Sequence, residues 1–261
     1  MNAPIAEQYV LAARDERGVA TLTLNRPQQF NALSQEMMAA LLTELEALDR
    51  DESVRVVVIG AQGKAFCPGH DLKQMKANPS LEYYQALFAQ CTKLMMTIQR
   101  LHAPVIARVH GIATAAGCQL VAMCDLAVAS AEARFAVSGI NVGLFCSTPG
   151  VALSRNVGRK QAFEMLVTGD FIDAATARDR GLVNRVVESD QLDAEVEKVI
   201  ASILSKPGSA VAMGKDLFYR QLETGIEAAY QLAGQTMACN MIDDSAQEGV
   251  QAFMEKRAPK W

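Results

Sequence analysis

The sequence predicts an α/β protein built from repeated ββα units, followed by a wholly helical tail. Three observations predict it. VRVVVIG (54–60) and APVIARV (103–109) are short, continuous apolar runs of the kind that form strands buried on both faces. Each is followed by a Gly-rich loop and then by helical periodicity. Beyond residue 190 the periodicity is helical, with no strand signal through 256. The chain has 261 residues, enough for a sizeable core.

The elements follow in order. Residues 8–25 (QYVLAARDERGVATLTLN) alternate around an Arg-Gly turn and read as a β-hairpin ended by Asn25-Arg26-Pro27. Ser34 reads as the N-cap of a helix to about Asp49, with apolar residues at 37, 38, 41, 42 and 45. After the first buried strand, residues 61–72 (AQGKAFCPGHDL) form a Gly-rich loop, and 82–101 form a helix. The second buried strand leads into ATAAGCQL (113–120), a nearly bare backbone, and then a helix carrying Gln119. DLAVAS (125–130) and RFAV (134–137) are strands. STPGVALSRNVG (147–158) begins a run of helices in which Ser147 reads as an N-cap and Pro149 lies in the first turn. Residues 190–204 and 208–256 are helical, so the chain divides into a core, 1–204, and a helical region, 205–261.

Composition narrows the function. Half of the residues are hydrophobic, 21% are charged and the net charge is −4, with no basic stripe, so nucleic acid is not an expected partner. No uninterrupted apolar run is long enough to span a bilayer, and no membrane partner is expected. MNAPIAEQYV lacks the basic and apolar regions of a secretory signal, which makes the cytoplasm the expected compartment. The six cysteines form no C-x-x-C and have no histidines at zinc spacing, so no metal site is expected.

Strand, Gly-rich loop and helix recur at VVVIG-AQGKAFCPGHDL and VIARV-HGIATAAGCQL. A helix start offers unpaired N–H groups, and small residues let a ligand oxygen reach them. Two such groups aimed at one oxygen form an oxyanion hole. Each motif also reads as a tight strand-to-helix turn, and the residues alone leave both readings open.

LNRPQQFNALS (24–34), GKAFCPGHDL (63–72), VHGIATAAGCQLVAMCDLAVAS (109–130) and EGVQAFMEKRAPKW (248–261) together resemble the crotonase (enoyl-CoA hydratase/isomerase) superfamily over nearly the whole chain. The resemblance implies a spiral of ββα repeats and a C-terminal helical region used in trimer formation, often with stacking into a hexamer. It implies a coenzyme A thioester as substrate or ligand. It places the two thioester-holding N–H groups at His70 and Ala116, with Ala115 and Gly117 kept small around them. Gln28, Ala32, Leu33, Gly69, Asp71, Leu72 and Gly117 would line the path of the coenzyme; Asp71 also reads as a helix cap. Phe253 and Lys256 would touch the coenzyme of a neighbouring subunit, or else be an apolar face and a solvated charge.

The sequence departs from this family where hydratases carry two glutamates. Gln119 stands at the first position and Gly139 at the second, and Ser147 stands where a related dienoyl isomerase has an acid. The catalytic positions are thus His70, Ala116, Gln119 and Gly139, without the paired carboxylates that handle the protons of hydration. Gln119 can hydrogen-bond but cannot act as a general base. Substitutes in reach are the His70 imidazole, Cys118 beside a helix start, Cys146, and Ser138 or Asn141 as water-positioning groups; His102, His110 and Glu132 read as structural or solvated. Three readings follow: acyl-CoA or enoyl-CoA processing, other thioester chemistry such as hydrolysis or decarboxylation, and acyl-CoA binding without catalysis. A carboxylate in the pocket would favour the first.

Overall fold

Gly18 turns the first hairpin with a φ of +83°, where a β-carbon would lie 2.3 Å from the Ser53 carbonyl oxygen. The computed structural model describes residues 8–261; the reading of the opening segment as free of a signal falls largely on residues 1–7, outside the described residues. Strand β1 (Val10–Arg14) pairs antiparallel with β2 (Val19–Leu24), with Val10 opposite Leu24. Ser34 caps α1 (Gln35–Asp49) by accepting from the Met37 N–H at 3.2 Å.

The repeating units then follow: β3 (Val56–Ala61), β4 (Ala65–Cys67), α2 (Leu72–Ala77) and α3 (Leu81–Arg100); β5 (Val105–Val109), β6 (Ile112–Thr114) and α4 (Ala116–Met123); β7 (Leu126–Ser130), β8 (Arg134–Ala136), α5 (Ser147–Asn156) and α6 (Arg159–Thr168). In each unit the first strand joins a six-stranded sheet, ordered β1-β2-β3-β5-β7-β10, and the second joins a four-stranded sheet, ordered β4-β6-β8-β9. The chain therefore advances one strand per unit in both sheets, which is the predicted spiral. The closing elements are β9 (Ile172–Asp173), α7 (Ala174–Asp179), β10 (Arg185–Val187) and α8 (Leu192–Leu204).

The continuous apolar runs are explained by burial on both faces. Val57 and Ile59 of β3 face the main core with Met37, Leu41 and Leu94. Val56 and Val58 face a second cluster with Ile106 and with Leu192, Val196 and Val199 of α8.

Four short strands were not predicted. β4 lies within the stretch read as loop, β6 spans the start of the bare stretch, and β9 and β10 interrupt what reads as a run of helices. Two or three residues carry no period, and these segments are strands because neighbouring strands complete their ladders. Ser147 is also corrected: it is the first helical residue of α5 rather than its cap, and its hydroxyl donates back to the Phe145 carbonyl at 3.3 Å.

The helical region consists of α9 (Gly208–Leu222), α10 (Ile226–Met241) and α11 (Asp244–Glu255). A buried ion pair ties it to the core: Lys215 Nζ reaches Asp125 Oδ2 at 2.6 Å and the carbonyls of Ile98 and Ala103 at 3.0 and 2.9 Å. Tyr219 donates to the other Asp125 oxygen at 2.7 Å. By contrast α10 buries none of its residues in this chain, and Ile226, Tyr230 and Met237 stand exposed. No helix among the described residues is long and apolar enough to cross a membrane.

Candidate functional site

The site grows from two backbone turns that meet. After β4 the chain pairs once with Leu33: the Leu33 N–H donates to the Gly69 carbonyl at 2.8 Å, and the Asp71 N–H to the Leu33 carbonyl at 3.4 Å. Alternate residues of an extended segment point to opposite sides, so the N–H of His70 is turned away from this pairing. After β6, Ala115 adopts φ +50° and ψ −121°, a backbone that an L-residue rarely takes, and Ala116 opens α4. The first N–H groups of a helix have no partner within it. Among the described residues the N–H groups of His70 and Ala116 donate to no protein acceptor.

Small residues bring the two turns together. Gly69 has φ +97°, and a β-carbon on it would lie 3.0 Å from both the Ala116 nitrogen and the Ala115 β-carbon. A β-carbon on Gly117 would lie 2.1 Å from the Cys67 carbonyl oxygen, so α4 can rest on β4 only with glycine there.

A cavity of about 620 Å³ opens onto these turns. Of the residues singled out in the sequence, Gln28, Ala32, His70, Asp71, Leu72, Ala115, Ala116 and Gly139 line it, and so do Ser147 and, from among the possible substitutes, Ser138 and Cys146. Leu33, Gly69 and Gly117 are buried supports whose contribution is backbone position. Phe253 and Lys256 do not reach the cavity of their own chain, and Phe253 is 85% exposed. Gln119 lies elsewhere: it is 6% exposed and lines a second cavity of about 660 Å³ between α3, α4, α5, α9 and α10. Thr148 lines both cavities.

Two groups of contributors escaped the sequence reading. Asn31, fully buried at φ +63°, accepts from the Arg26 N–H at 2.9 Å and donates to the carbonyls of Gln62 and Ala65 at 2.8 and 2.9 Å. It pins the loop that presents Gln28, Phe30 and Ala32 to the cavity. Its one sequence signal was its place inside NRPQQFNAL. Phe30, Phe88, Val142, Leu144 and Phe145 supply the apolar lining, and Phe30 is 54% and Val142 68% exposed. Only the folded chain collects them.

The first cavity is poor in titrating groups. Its one carboxylate, Asp71, caps α2 by accepting from the N–H groups of Lys73 and Gln74 at 3.0 and 3.1 Å. The His70 ring packs edge-on against Phe88, its Nδ1 lies 3.4 Å from the Leu33 carbonyl, and its Nε2 is sealed from solvent without a partner. A carbonyl only accepts, so Nδ1 carries the proton, and burial lowers the pKa of this ring. The Gly139 N–H donates to Cys146 Sγ at 3.3 Å, and a β-carbon at Gly139 would lie 2.7 Å from that sulfur and 2.5 Å from the Leu144 carbonyl oxygen. Burial pushes the Cys118 thiol up to about 12 and raises that of Cys146.

The remaining candidates are structural. Ser138 and Thr114 share a hydroxyl hydrogen bond at 2.8 Å, and Asn141 donates to the Gly169 carbonyl at 3.4 Å. His102 and His110 hold the carbonyls of Val54 and Gly63 at 3.0 and 2.9 Å. Glu132 is exposed. Chemically, the cavity can bind a ligand oxygen on two backbone donors but presents no free carboxylate.

Residues 14–261 match the family model described as enoyl-CoA hydratase/isomerase. The mitochondrial enoyl-CoA hydratase domain-containing protein 3 of Xenopus laevis is 46% identical over 248 residues, covering 95% of this chain and 84% of the relative. The crystal structure of the human enoyl-coenzyme A hydratase domain-containing protein 3 superposes with a TM-score of 0.93 at 43% identity, covering 97% of this chain and all of that one (100%). That of an enoyl-CoA hydratase from Mycobacterium smegmatis superposes at 0.97 with 70% identity, covering 98% and 99%.

Proposed function

The chain belongs to the enoyl-CoA hydratase/isomerase family, and from that premise we propose that it is an acyl-CoA (enoyl-CoA) processing protein that holds the thioester oxygen on the N–H groups of His70 and Ala116. One observation carries the reading: the two unpartnered N–H groups belong to turns in contact, with Gly69 against the Ala116 nitrogen. Negative charge gathers on a thioester oxygen when the neighbouring carbon loses a proton or the carbonyl is attacked. A preorganised donor aimed at that oxygen lowers the barrier by roughly 3–4 kcal/mol. Gln28, Ala32, Asp71 and Leu72 would run along the coenzyme, in keeping with their places on the cavity wall.

Hydration asks for more. Water must lose a proton and the α-carbon must gain one. Asp71 is engaged as a cap, Asp216 and Glu223 of the second cavity are paired with Arg220 and Arg155, Gln119 does not titrate, and Gly139 has no room for a side chain. Efficient hydration is therefore not expected, and the lack of an unengaged carboxylate favours thioester chemistry that rests on oxyanion stabilisation, such as hydrolysis or decarboxylation, with binding alone as the limiting case.

The exposed apolar residues of α9 and α10, among them Phe218, Leu222, Ile226 and Tyr230, support assembly as a homotrimer, with a hexamer as its stacked form. The 85% exposure of Phe253 is compatible with its touching, together with Lys256, the ligand of a neighbouring subunit.

The test pairs calorimetric binding of acetyl-CoA and crotonyl-CoA with a crotonyl-CoA hydration assay. Binding with turnover far below about 1 per second is expected. Turnover within the ordinary enzymatic range of roughly 1–1000 per second would overturn the missing-acid reading. Absence of binding would overturn the thioester pocket.

A further inference from the structure

Gln119 is 6% exposed, yet its amide makes no hydrogen bond to any described residue, and its Oε1 is sealed from solvent without a partner. Buried polar groups are rarely left this way. The residue forms part of the second cavity, where Met95, Met96, Met123, Val151, Ala152 and Leu232 give an apolar surface. The charged residues Arg100, Arg155, Asp216, Arg220 and Glu223 also stand on the wall, Asp216 paired with Arg220 and Glu223 with Arg155. That cavity meets the first at Thr148, a half-buried threonine of α5 that lines both. The opposite wall is α9, held in place by the Lys215–Asp125 pair and by Tyr219, which also faces the cavity.

Resting on the thioester reading above, we propose that the second cavity receives the distal part of the acyl group, and that the Gln119 amide selects acyl chains carrying a hydroxyl there. An apolar chain suits the methionine and aliphatic wall but leaves the amide unpaired, at the cost of a buried unsatisfied group. Turning the amide about its last bond exchanges its donor and acceptor ends, and a hydroxyl both donates and accepts, so it pairs with either. A site with a buried hydrogen-bonding group discriminates against a ligand that lacks the matching group far more strongly than an apolar site discriminates by a single methylene. Gln119 is thus assigned as a specificity residue, and no proton transfer is asked of it.

The test compares dissociation constants of hexanoyl-CoA and octanoyl-CoA with those of their ω-hydroxylated counterparts, for the wild type and for Gln119→Met, with acetyl-CoA as the reference that stops short of the second cavity. At one of the two lengths the hydroxylated ester is expected to bind about tenfold tighter than the plain one, and Gln119→Met to bring that ratio to about one. Equal or weaker binding of both hydroxylated esters by the wild type overturns the proposal without recourse to the variant. So does a preference that survives Gln119→Met, or acetyl-CoA binding as tightly as every longer ester. If none of the esters binds, the thioester reading itself fails and takes this proposal with it.

Discussion

Gly69 and Ala116 touch through their backbones: a β-carbon on Gly69 would sit 3.0 Å from the Ala116 nitrogen, at a residue whose φ is +97°. Gly69→Ala is therefore both strained and overpacked. It is expected to lower stability by about 1–3 kcal/mol in urea unfolding and to weaken acetyl-CoA binding more than tenfold. Unchanged affinity would mean that the spacing of the two N–H groups does not matter to the ligand.

Gln119→Glu places a carboxyl where the amide is buried and unpartnered. Burial raises the pKa of such a group above its unfolded value near 4.3. The folded state then binds the extra proton more tightly, so stability is fullest below the unfolded pKa and is lost as pH rises through the folded one. Melting temperatures at pH 5 and pH 8 should show a larger deficit against wild type at pH 8. A deficit independent of pH would show that the new carboxyl titrates normally.

Adding the second acid is not expected to help. At Gly139 a side chain meets the Leu144 carbonyl oxygen at 2.5 Å and Cys146 Sγ at 2.7 Å. Gly139→Glu should cost about 1–3 kcal/mol or more, and the Gln119→Glu/Gly139→Glu double variant should hydrate crotonyl-CoA no faster than Gln119→Glu alone. A large rate gain in the double variant would show that residues 138–146 move aside readily.

Lys215→Met removes the cation from a buried pair and leaves Asp125 with the Tyr219 hydroxyl and the Val105 N–H. Breaking such a pair destabilises by about 3–5 kcal/mol, and the wall that α9 gives the second cavity should loosen with it. Urea unfolding and hydrogen exchange of α9 measure both effects; a loss under about 1 kcal/mol would mean the pair is nearly neutral.

The one tryptophan reports on the C-terminus. Trp261 Nε1 donates to the Ser205 carbonyl at 3.1 Å, and nearby Glu248 accepts from Arg257 and from the Lys260 N–H. The Arg257 guanidinium, then the Lys260 N–H, hold the Glu248 carboxyl down at about 2 from 4.5. Its folded pKa is depressed, so its contribution is present above pH 4.5 and lost as pH falls towards 2. Tryptophan fluorescence should change over that window in the wild type and not in Glu248→Gln. The same transition in both proteins would assign it to general acid unfolding.

The parts of the fold that were legible are those with a sustained local signal. Ser34 before an amphipathic run, the Arg-Gly turn, and the apolar strands at β3 and β5 were all readable. The two- and three-residue strands β4, β6, β9 and β10 were not, because they exist only through their neighbours' ladders. Of the candidate site, the glycines and alanines at 69 and 115–117 announced a bare backbone in the sequence. The role of Asn31 and the seat of Gln119 in a second cavity did not show.

By itself the sequence determined the order of ββα units, the helical tail, the small residues at both turns and the absence of glutamates at 119 and 139. The tertiary structure alone decided which way the N–H groups of His70 and Ala116 face and that Gly139 has no space for a side chain. The reason is physical. Residue type and period are local properties, whereas the direction of an unpaired N–H and the volume left beside a glycine are set by backbone atoms that can lie far away in the chain, such as Leu33 against Asp71 and Cys67 against Gly117.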